Sequence, residues 1–152
     1  MEQVMKIIVF KLNEQSFGVE VNQVVSIERL QSITEVPGTS DFIKGVIPLR
    51  GEITPVLDLK ERLSMKQITA ANPSLIMIII IDDIQIGLIV DDATEVRDID
   101  SSTIQSPSKI SGVDETFIRG IAKVEDHLLI LLDLENVTDQ NETLQLKEVV
   151  ND

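Results

Sequence analysis

Phe42-Ile43-Lys44-Gly45-Val46-Ile47-Pro48-Leu49-Arg50-Gly51-Glu52-Ile53-Thr54-Pro55-Val56-Leu57-Asp58-Leu59 decides how this chain folds, because its two ends occur again downstream. Phe42-Ile43-Lys44-Gly45-Val46 returns as Phe117-Ile118-Arg119-Gly120-Ile121, and Leu57-Asp58-Leu59 returns as Leu132-Asp133-Leu134, both at an offset of 75. Upstream, Phe17-Gly18-Val19-Glu20-Val21 returns as Ile86-Gly87-Leu88-Ile89-Val90 at an offset of 69. The difference between the two offsets fits a longer loop, Ser106 to Asp114, in the second copy. Self-similarity of this kind marks internal duplication. Two copies are too few for a solenoid, so they imply two small pseudo-equivalent units with a cleft or shared core between them. A unit of about 70 residues buries too little surface alone, so the halves are expected to share apolar surface.

Most apolar runs are short, rich in β-branched residues and separated by turn residues, which is an all-β pattern. Strands are expected at Ile7 to Leu12, Phe17 to Val21, Gly45 to Leu49 and Ile53 to Leu57 in the first copy. In the second they are expected at Leu75 to Ile81, Gln85 to Val90, Ile118 to Val124 and Leu128 to Leu132. Asn13-Glu14-Gln15, Arg50-Gly51-Glu52, Asp82-Asp83 and Glu125-Asp126-His127 read as turns. Val24, Val25, Ile27 and Leu30 fit a helical turn or a strand equally. Pro48 and Pro55 lack an amide donor and belong at strand edges or bulges. Asp58 and Asp133 read as N-caps of short helices, and Glu142 to Val150 as a frayed C-terminal helix. The polar stretch 64–74 reads as the linker. The expected division is 1–68 for the first small barrel and 69–152 for the second with its C-terminal helix.

Composition excludes several functions. Net charge is −13, with 26 acidic against 13 basic residues, which argues against nucleic acid and anionic lipid, both bound through Lys and Arg. There is no cysteine, hence no disulfide, thiolate nucleophile or zinc–thiolate site. The longest apolar run, Leu75 to Ile81, is about a third of the ~20 residues needed to span a bilayer, so the chain reads as soluble.

Catalytic candidates are few. The sequence contains no GxGxxG, GxxxxGK[ST] or GxSxG. His127 is the single histidine and reads as a solvated loop residue. Asp82-Asp83 and Asp91-Asp92 lack EF-hand spacing and read as turn chemistry, so neither a metal nor a cofactor is expected. The repeated Gly18/Gly87 and Gly45/Gly120 read as bulges or close backbone approaches. Arg50 ends an apolar strand and is Glu125 in the other copy. That asymmetry argues against a need of the fold and leaves two readings of equal weight, a solvated strand-end arginine and a partner contact, where arginine is over-represented.

Phe42 to Leu59 resembles the signature stretch of the CheW family of chemotaxis coupling proteins, approximately FI-G-V-I-N-L-R-G followed by P-V-DL, with Pro48 where the family usually has Asn. Phe17-Gly18-Val19-Glu20-Val21 and Gly87-Leu88-Ile89-Val90-Asp91 resemble it too, and the matches span residues 7 to 137. The resemblance implies two five-stranded SH3-like barrels, with the first strand left open between them, and no enzymatic activity. It implies a cytoplasmic scaffold, at membrane-associated receptor arrays, that links the CheA histidine kinase to the cytoplasmic tips of chemoreceptors. Carried over by alignment, the receptor groove includes Ile8, Val21, Val24, Ala93 and Val96, and the family's functional arginine falls on Arg50. The kinase contact falls on Ser26, often Glu in the family, and Ile27, with a second patch around Gln105 and Ile110. A CheV-like or CheA-derived regulatory module shares these motifs; a chain of this length has no room for a kinase or receiver domain, which favours a free-standing coupling protein. The rival from another class is a small-ligand-binding or hydrolytic β-barrel, which needs convergent polar groups in a pocket.

Overall fold

The computed structural model describes residues 3–39, 41–63, 65, 75–106, 117–138 and 140–151. The β-branched runs form strands β1 (Val4–Leu12), β2 (Gln15–Glu20), β3 (Val24–Arg29), β4 (Ile43–Leu49), β5 (Glu52–Asp58) and β6 (Leu75–Ile81). They continue as β7 (Ile84–Val90), β8 (Asp92–Asp100), β9 (Ile104–Gln105), β10 (Ile118–Val124) and β11 (His127–Leu132). Helices are α1 (Leu59–Arg62) and α2 (Gln140–Asn151). The ambiguous segment from Val24 is thus a strand, preceded by the 3₁₀ turn Val21–Gln23. The expected linker and the loop after Ser106 fall largely outside the described residues.

Each hairpin turns through two residues, between the register pairs Leu12↔Gln15, Leu49↔Glu52, Ile81↔Ile84 and Val124↔His127. Gln15, Glu52 and His127, expected in loops, therefore belong to strands. Two-residue hairpins need left-handed backbone because only that twist matches the flanking strands. Asn13 and Glu14 have φ of 53° and 68°, and Asp82 and Asp83, 69 residues on, have 52° and 68°. The duplication is conformational as well as textual.

Strand pairing overturns the tandem division. One sheet has the order β8-β1-β2-β11-β10-β9 and the other β3-β6-β7-β5-β4. The first hairpin, β1–β2, thus joins the strands of the second half, while β6–β7 joins those of the first. The five-stranded sheet is contiguous from Val24 to Val90 apart from its loops, and the six-stranded one is assembled from both ends of the chain. Division at residue 68 follows the sequence repeat and not the sheets. The exchange is reciprocal: β2 runs parallel to β11 with Gly18 opposite Leu131, and β7 runs parallel to β5 with Gly87 opposite Val56. Both glycines face a barrel interior. A Cβ on Gly18 would lie 2.6 Å from Ile7 Cγ2, and one on Gly87 would collide with Ile76. The other repeated pair, Gly45 and Gly120, sits at register shifts in β4 and β10.

Both sheets curl. The edge strands β8 and β9 are joined by the 3₁₀ turn Ser101–Thr103, so the two edges stay within a three-residue reach. In the other sheet Thr34 exchanges two backbone hydrogen bonds with Val46, at 2.9 and 2.8 Å, and carries the chain after β3 back to β4. Pro55 lies in an inner strand and not at an edge, one residue before the first β5–β7 pair, Val56↔Gly87. Pro55 stands opposite Val46, whose N–H and C=O are both taken by Thr34. Pro48 does lie in an edge strand. The fold is all-β, two SH3-like barrels with short helices.

Among the described residues, side-chain alternation divides the core into three clusters. Ile7 and Val9 fill the six-stranded barrel with Ile99, Leu129 and Leu131. Ile76 and Ile78 fill the five-stranded one with Ile47, Val56 and Ile89. The opposite faces of the same strands, Phe10 and Leu12 on β1 and Met77 and Ile79 on β6, meet in a third and larger cluster shared by both barrels. The C-terminal helix is not frayed: Leu146 of α2 is fully buried there, with Val149 and Val150 packed against it. Arg62 of α1 fastens α2, donating bidentately to Glu142 at 2.7 Å and through Nε to the Val137 carbonyl at 2.7 Å. Its guanidinium stacks on Phe42 and Phe117, the repeated phenylalanines, 5.8 and 5.4 Å from their ring centres. A planar fork meets all of these partners at once, and an ammonium cannot. Arg62→Lys is expected to speed hydrogen exchange across α2 about tenfold or more while the strands keep their protection.

A buried ion pair joins the halves. Lys60 follows the N-cap Asp58, whose carboxylate accepts from the Lys60 and Glu61 amides. Its side chain is 3% exposed, and Nζ lies 2.9 Å from Asp91 and 3.4 Å from Asn13 Oδ1. Asp91, between β7 and β8, also accepts from the Asn13 amide at 2.7 Å. Removing one partner leaves the other charge buried, at a cost of about 3–5 kcal/mol. Asp91→Ala is therefore expected to lower stability by that amount in urea titration. Asp98→Ala, which breaks the exposed Lys6–Asp98 pair, is expected to lower it by less than about 1 kcal/mol.

Candidate functional site

The expected groove residues lie on and beside the β1/β8 ribbon, where it turns toward the other sheet. Ile8 stands opposite Val96 on β8 and Val19 on β2, and Ala93 stands opposite Phe10. Val24 stands opposite Ile79 in the five-stranded sheet. Ile8, Ala93 and Val24 are partly buried and pack against the cluster shared by the two barrels. Val96 is 59% exposed, as is Val4 at 61%, on the same side of β1 as Ile8. Val21 lines a shallow cleft with Val4, Met5 and Glu20. The ribbon thus carries exposed apolar side chains beside partly buried ones, with Val24 part of the packing more than of the open surface.

The expected kinase-side residues do not form one patch among the described residues. Ser26 and Ile27 are on β3, the edge of the five-stranded sheet, and Gln105 is on β9, the edge of the six-stranded sheet. Ile110 lies outside the described residues. Ile27 is exposed beside Val25, which occupies a bulge in β3. The Ser26 hydroxyl is buried with no hydrogen-bond partner. Gln105 is exposed and paired with Ile121. Its approach is set by Asp100, which accepts from the backbone N–H and the hydroxyl of Ser102. Those two bonds hold the Asp100 carboxyl below its usual range, the backbone one foremost.

Arg50 heads the β4–β5 turn with φ 54°, beside Gly51 at 79°. Such a position favours Asn, Asp or Gly, and nothing in the turn asks for arginine. Its guanidinium is 3.5 Å from Glu28, and both side chains are largely in solvent. In the other barrel Arg97 is 3.1 Å from Glu125. Arg97 is the counterpart of Glu28 at the 69 offset, and Glu125 of Arg50 at the 75 offset. Each barrel mouth therefore carries the same ion pair with its charges exchanged. The Arg50/Glu125 difference is a reversal of polarity and not the loss of a residue. Arg97 has the tighter environment: the hydrogen bonds it donates to Glu125 and then to Glu95 raise its pKa. The two offsets, applied to charged residues, would have exposed this reversal in the sequence. Lys60 and Arg62 offered no such signal, since a charged residue in a short helix normally reads as solvated.

Other candidate chemistry is accounted for locally. Asp91 is engaged by Lys60, and Asp82 accepts from Lys147 at 2.7 Å. Among the described residues no group of three His, Cys, Asp or Glu side chains is arranged to hold a metal ion. His127 is exposed at the start of β11, on the rim of a cleft it shares with Arg97 and Glu125. No described helix is long and apolar enough to cross a membrane.

Comparison with known proteins matches this arrangement along its length. The family model of the CheW-like domain matches residues 6–142. The chemotaxis protein CheW of Bacillus subtilis is 40% identical over 136 residues, covering 89% of this chain and 87% of that protein. CheW of Rhizobium meliloti is 30% identical over 141 residues, covering 90% and 89%. CheV3 of Helicobacter pylori is 28% identical over 130 residues, which are 83% of this chain but 42% of CheV3. The crystal structure of the scaffolding protein TtCheW from Thermoanaerobacter tengcongensis superposes with a TM-score of 0.82 at 37% identity, covering 92% of this chain and 91% of that one. Both copies of the repeat and all but the first two residues of the strands lie inside the span of the family model, and the chain belongs to the CheW family.

Proposed function

We propose that this protein is a non-enzymatic coupling scaffold of chemotaxis, joining the regulatory domain of a CheA-type histidine kinase to the cytoplasmic tips of chemoreceptors in membrane-associated arrays. The observation that carries the reading is the apolar set Ile8, Val24 and Ala93, packed against the cluster shared by the two barrels, together with exposed Val96. An amphipathic helix laid in such a groove is a standard recognition mode, and receptor tips are helical hairpins in the family this chain belongs to. Ile27 and Val25, on the outer edge of the five-stranded sheet, offer a separate apolar contact for the kinase. A second reading, a CheV-type regulatory module, is favoured by the likeness to part of CheV3; it predicts response-dependent regulation by a covalently attached domain.

Reconstitution with kinase and receptor-bearing membranes tests the proposal: the chain is expected to stimulate kinase activity and to bind a receptor-tip fragment. Val96→Asp places a charge in the contact and is expected to weaken tip binding by about 2 kcal/mol or more, roughly 30-fold. Its melting temperature should stay unchanged, since Val96 is mostly exposed. Val24→Asp is a poorer probe, because Val24 packs on the shared core and its loss would unfold as well as uncouple. A wild-type chain that neither binds the tip nor stimulates the kinase would overturn the reading.

Arg50 gives a separate test. At its left-handed backbone position a glycine is less strained, and the exposed pair with Glu28 is worth about 1 kcal/mol or less. Arg50→Gly is expected to leave the melting temperature unchanged or slightly raised and to reduce kinase stimulation in the same preparation. Loss of stability in proportion to loss of stimulation would assign Arg50 to the barrel alone.

A further inference from the structure

Chain topology leaves few covalent ties between the two barrels. Among the described strands, the chain passes from one sheet to the other only twice. The first passage is the turn Val21–Gln23, between β2 and β3; the second is Asp91 alone, between β7 and β8. At the 69 offset Asn22 is the counterpart of Asp91, so the two passages are equivalent points of the repeat. The proposed receptor groove is built beside them. Val21 lies in the first passage and Val24 on the strand that follows it. Ala93 and Val96 lie on the strand that starts from the second, and Ile8 on β1 beside that strand. Val24 belongs to the five-stranded sheet and Ile8, Ala93 and Val96 to the six-stranded one. The width of the groove therefore depends on how the two barrels sit relative to each other.

One passage carries a buried lock. Lys60 belongs to the five-stranded body, since α1 packs on β5 and β7. Its side chain reaches across: Nζ lies 2.9 Å from Asp91 and 3.4 Å from Asn13 Oδ1, in the turn between β1 and β2. Asp91 is itself held to that hairpin. It donates its amide to the Lys11 carbonyl at 3.0 Å and accepts from the Asn13 amide at 2.7 Å. Ile8 is three residues from Lys11 on the same strand, about 10 Å away. The offsets carry Lys60 and Asp91 onto Glu135 and Asn22, which cannot form this ion pair. The fold thus completes the equivalent junction without one. A buried ion pair is also seldom worth more to stability than apolar side chains of similar volume. What it supplies is a defined geometry.

We propose that Lys60 is a positioning residue of the receptor groove. Acting through Asp91, it fixes the start of β8 and the end of β1 against the five-stranded barrel, and so holds Ile8, Ala93 and Val96 at a set distance from Val21 and Val24. The proposal rests on the coupling role above. It makes the groove preformed, so that a receptor tip meets its binding geometry already populated.

The double variant Lys60→Met/Asp91→Asn tests it. The pair of changes removes both buried charges, keeps the length of the stem and leaves an oxygen to accept from the Asn13 amide. Because the chain has no cysteine, Ile53→Cys and Leu128→Cys, exposed counterparts on β5 and β11, carry one spin label per barrel. Pulsed dipolar spectroscopy then reads the distance between barrels. Calorimetry on unlabelled protein reads binding of a receptor-tip hairpin and of the isolated kinase regulatory domain. Expected are a narrow distance distribution in the wild type, a broader one in the double variant, and its return to the narrow form with saturating tip. Tip affinity should fall about three- to tenfold, by the fraction of molecules still holding the binding geometry. Kinase-domain affinity, through Val25 and Ile27 within one barrel, should stay within about twofold. A broad distribution in the wild type overturns the lock, as does a double variant with distribution and tip affinity both unaltered. A change in either reading without the other overturns the positioning role, and so do equal losses on both probes. Should the double variant melt well below the wild type, Asp91→Asn alone decides by the same readings. Wild-type protein that does not bind the tip sinks the coupling role, while the two distributions still decide whether the barrels are locked.

Discussion

Two parallel strand pairings, β2 with β11 and β7 with β5, constrain everything else in this protein. Each brings a hairpin from one copy of the repeat against the strands of the other. Because side chains alternate along a strand, each exchanged hairpin serves two cores at once. Ile7 and Val9 enter one barrel while Phe10 and Leu12 enter the seam; Ile76 and Ile78 enter the other barrel while Met77 and Ile79 enter the same seam. Neither barrel closes without strands from both copies, and the seam cannot be dry unless both hairpins are in place. The marginal stability expected of a unit of ~70 residues is met by making the two units one packing problem.

Pseudo-symmetry then makes departures from it informative. Backbone geometry is repeated in the first hairpin turn of each copy, where Asn13-Glu14 and Asp82-Asp83 share their left-handed angles, and at the interior glycines Gly18 and Gly87. Charge is not. Lys60 and Asp91 lock one exchange face, whereas Glu135 and Asn22 leave the other open. The Glu28–Arg50 and Arg97–Glu125 pairs point in opposite senses on the two barrel mouths. A protein whose two halves were electrostatically identical would offer every partner two equivalent ends. Here the fold supplies two similar shapes and the charges tell them apart, consistent with charge complementarity acting on specificity more than on affinity.

Much of this was legible in the sequence, and what was not had a definite cause. The β class, the duplication, the hairpins and the N-caps at Asp58 and Asp133 are local properties, written in turn residues and β-branched runs. Hairpin exchange is not local. The residues that would distinguish the two pairings are themselves repeated: Gly18 and Gly87, Ile7 and Ile76, Val9 and Ile78 present nearly the same face, so periodicity is indifferent to which barrel receives them. Lys60, Arg62 and Leu146 were hidden for another reason. Their burial depends on contacts made across the seam, Lys60 with Asp91 and Asn13 and Arg62 with Glu142, the last between residues 80 apart in the chain. Of the proposed docking residues, Val96 and Ile27 are exposed as a contact surface requires, while Val24 and Ala93 belong as much to the packing as to the surface.

The nesting of one barrel within the other also fixes an order of events during synthesis. Strands β3 to β7 form an unbroken stretch of chain, so their barrel can close once Val90 has emerged. The β1–β2 hairpin leaves the ribosome first yet completes its sheet last, because β8 and β11 are still unmade. A lone two-stranded hairpin is marginal in water. At about 5–20 residues per second, Ile7 and Val9 wait roughly 6 to 25 seconds with no barrel interior to enter. The most exposed moment in the life of this fold therefore falls on its first-made segment.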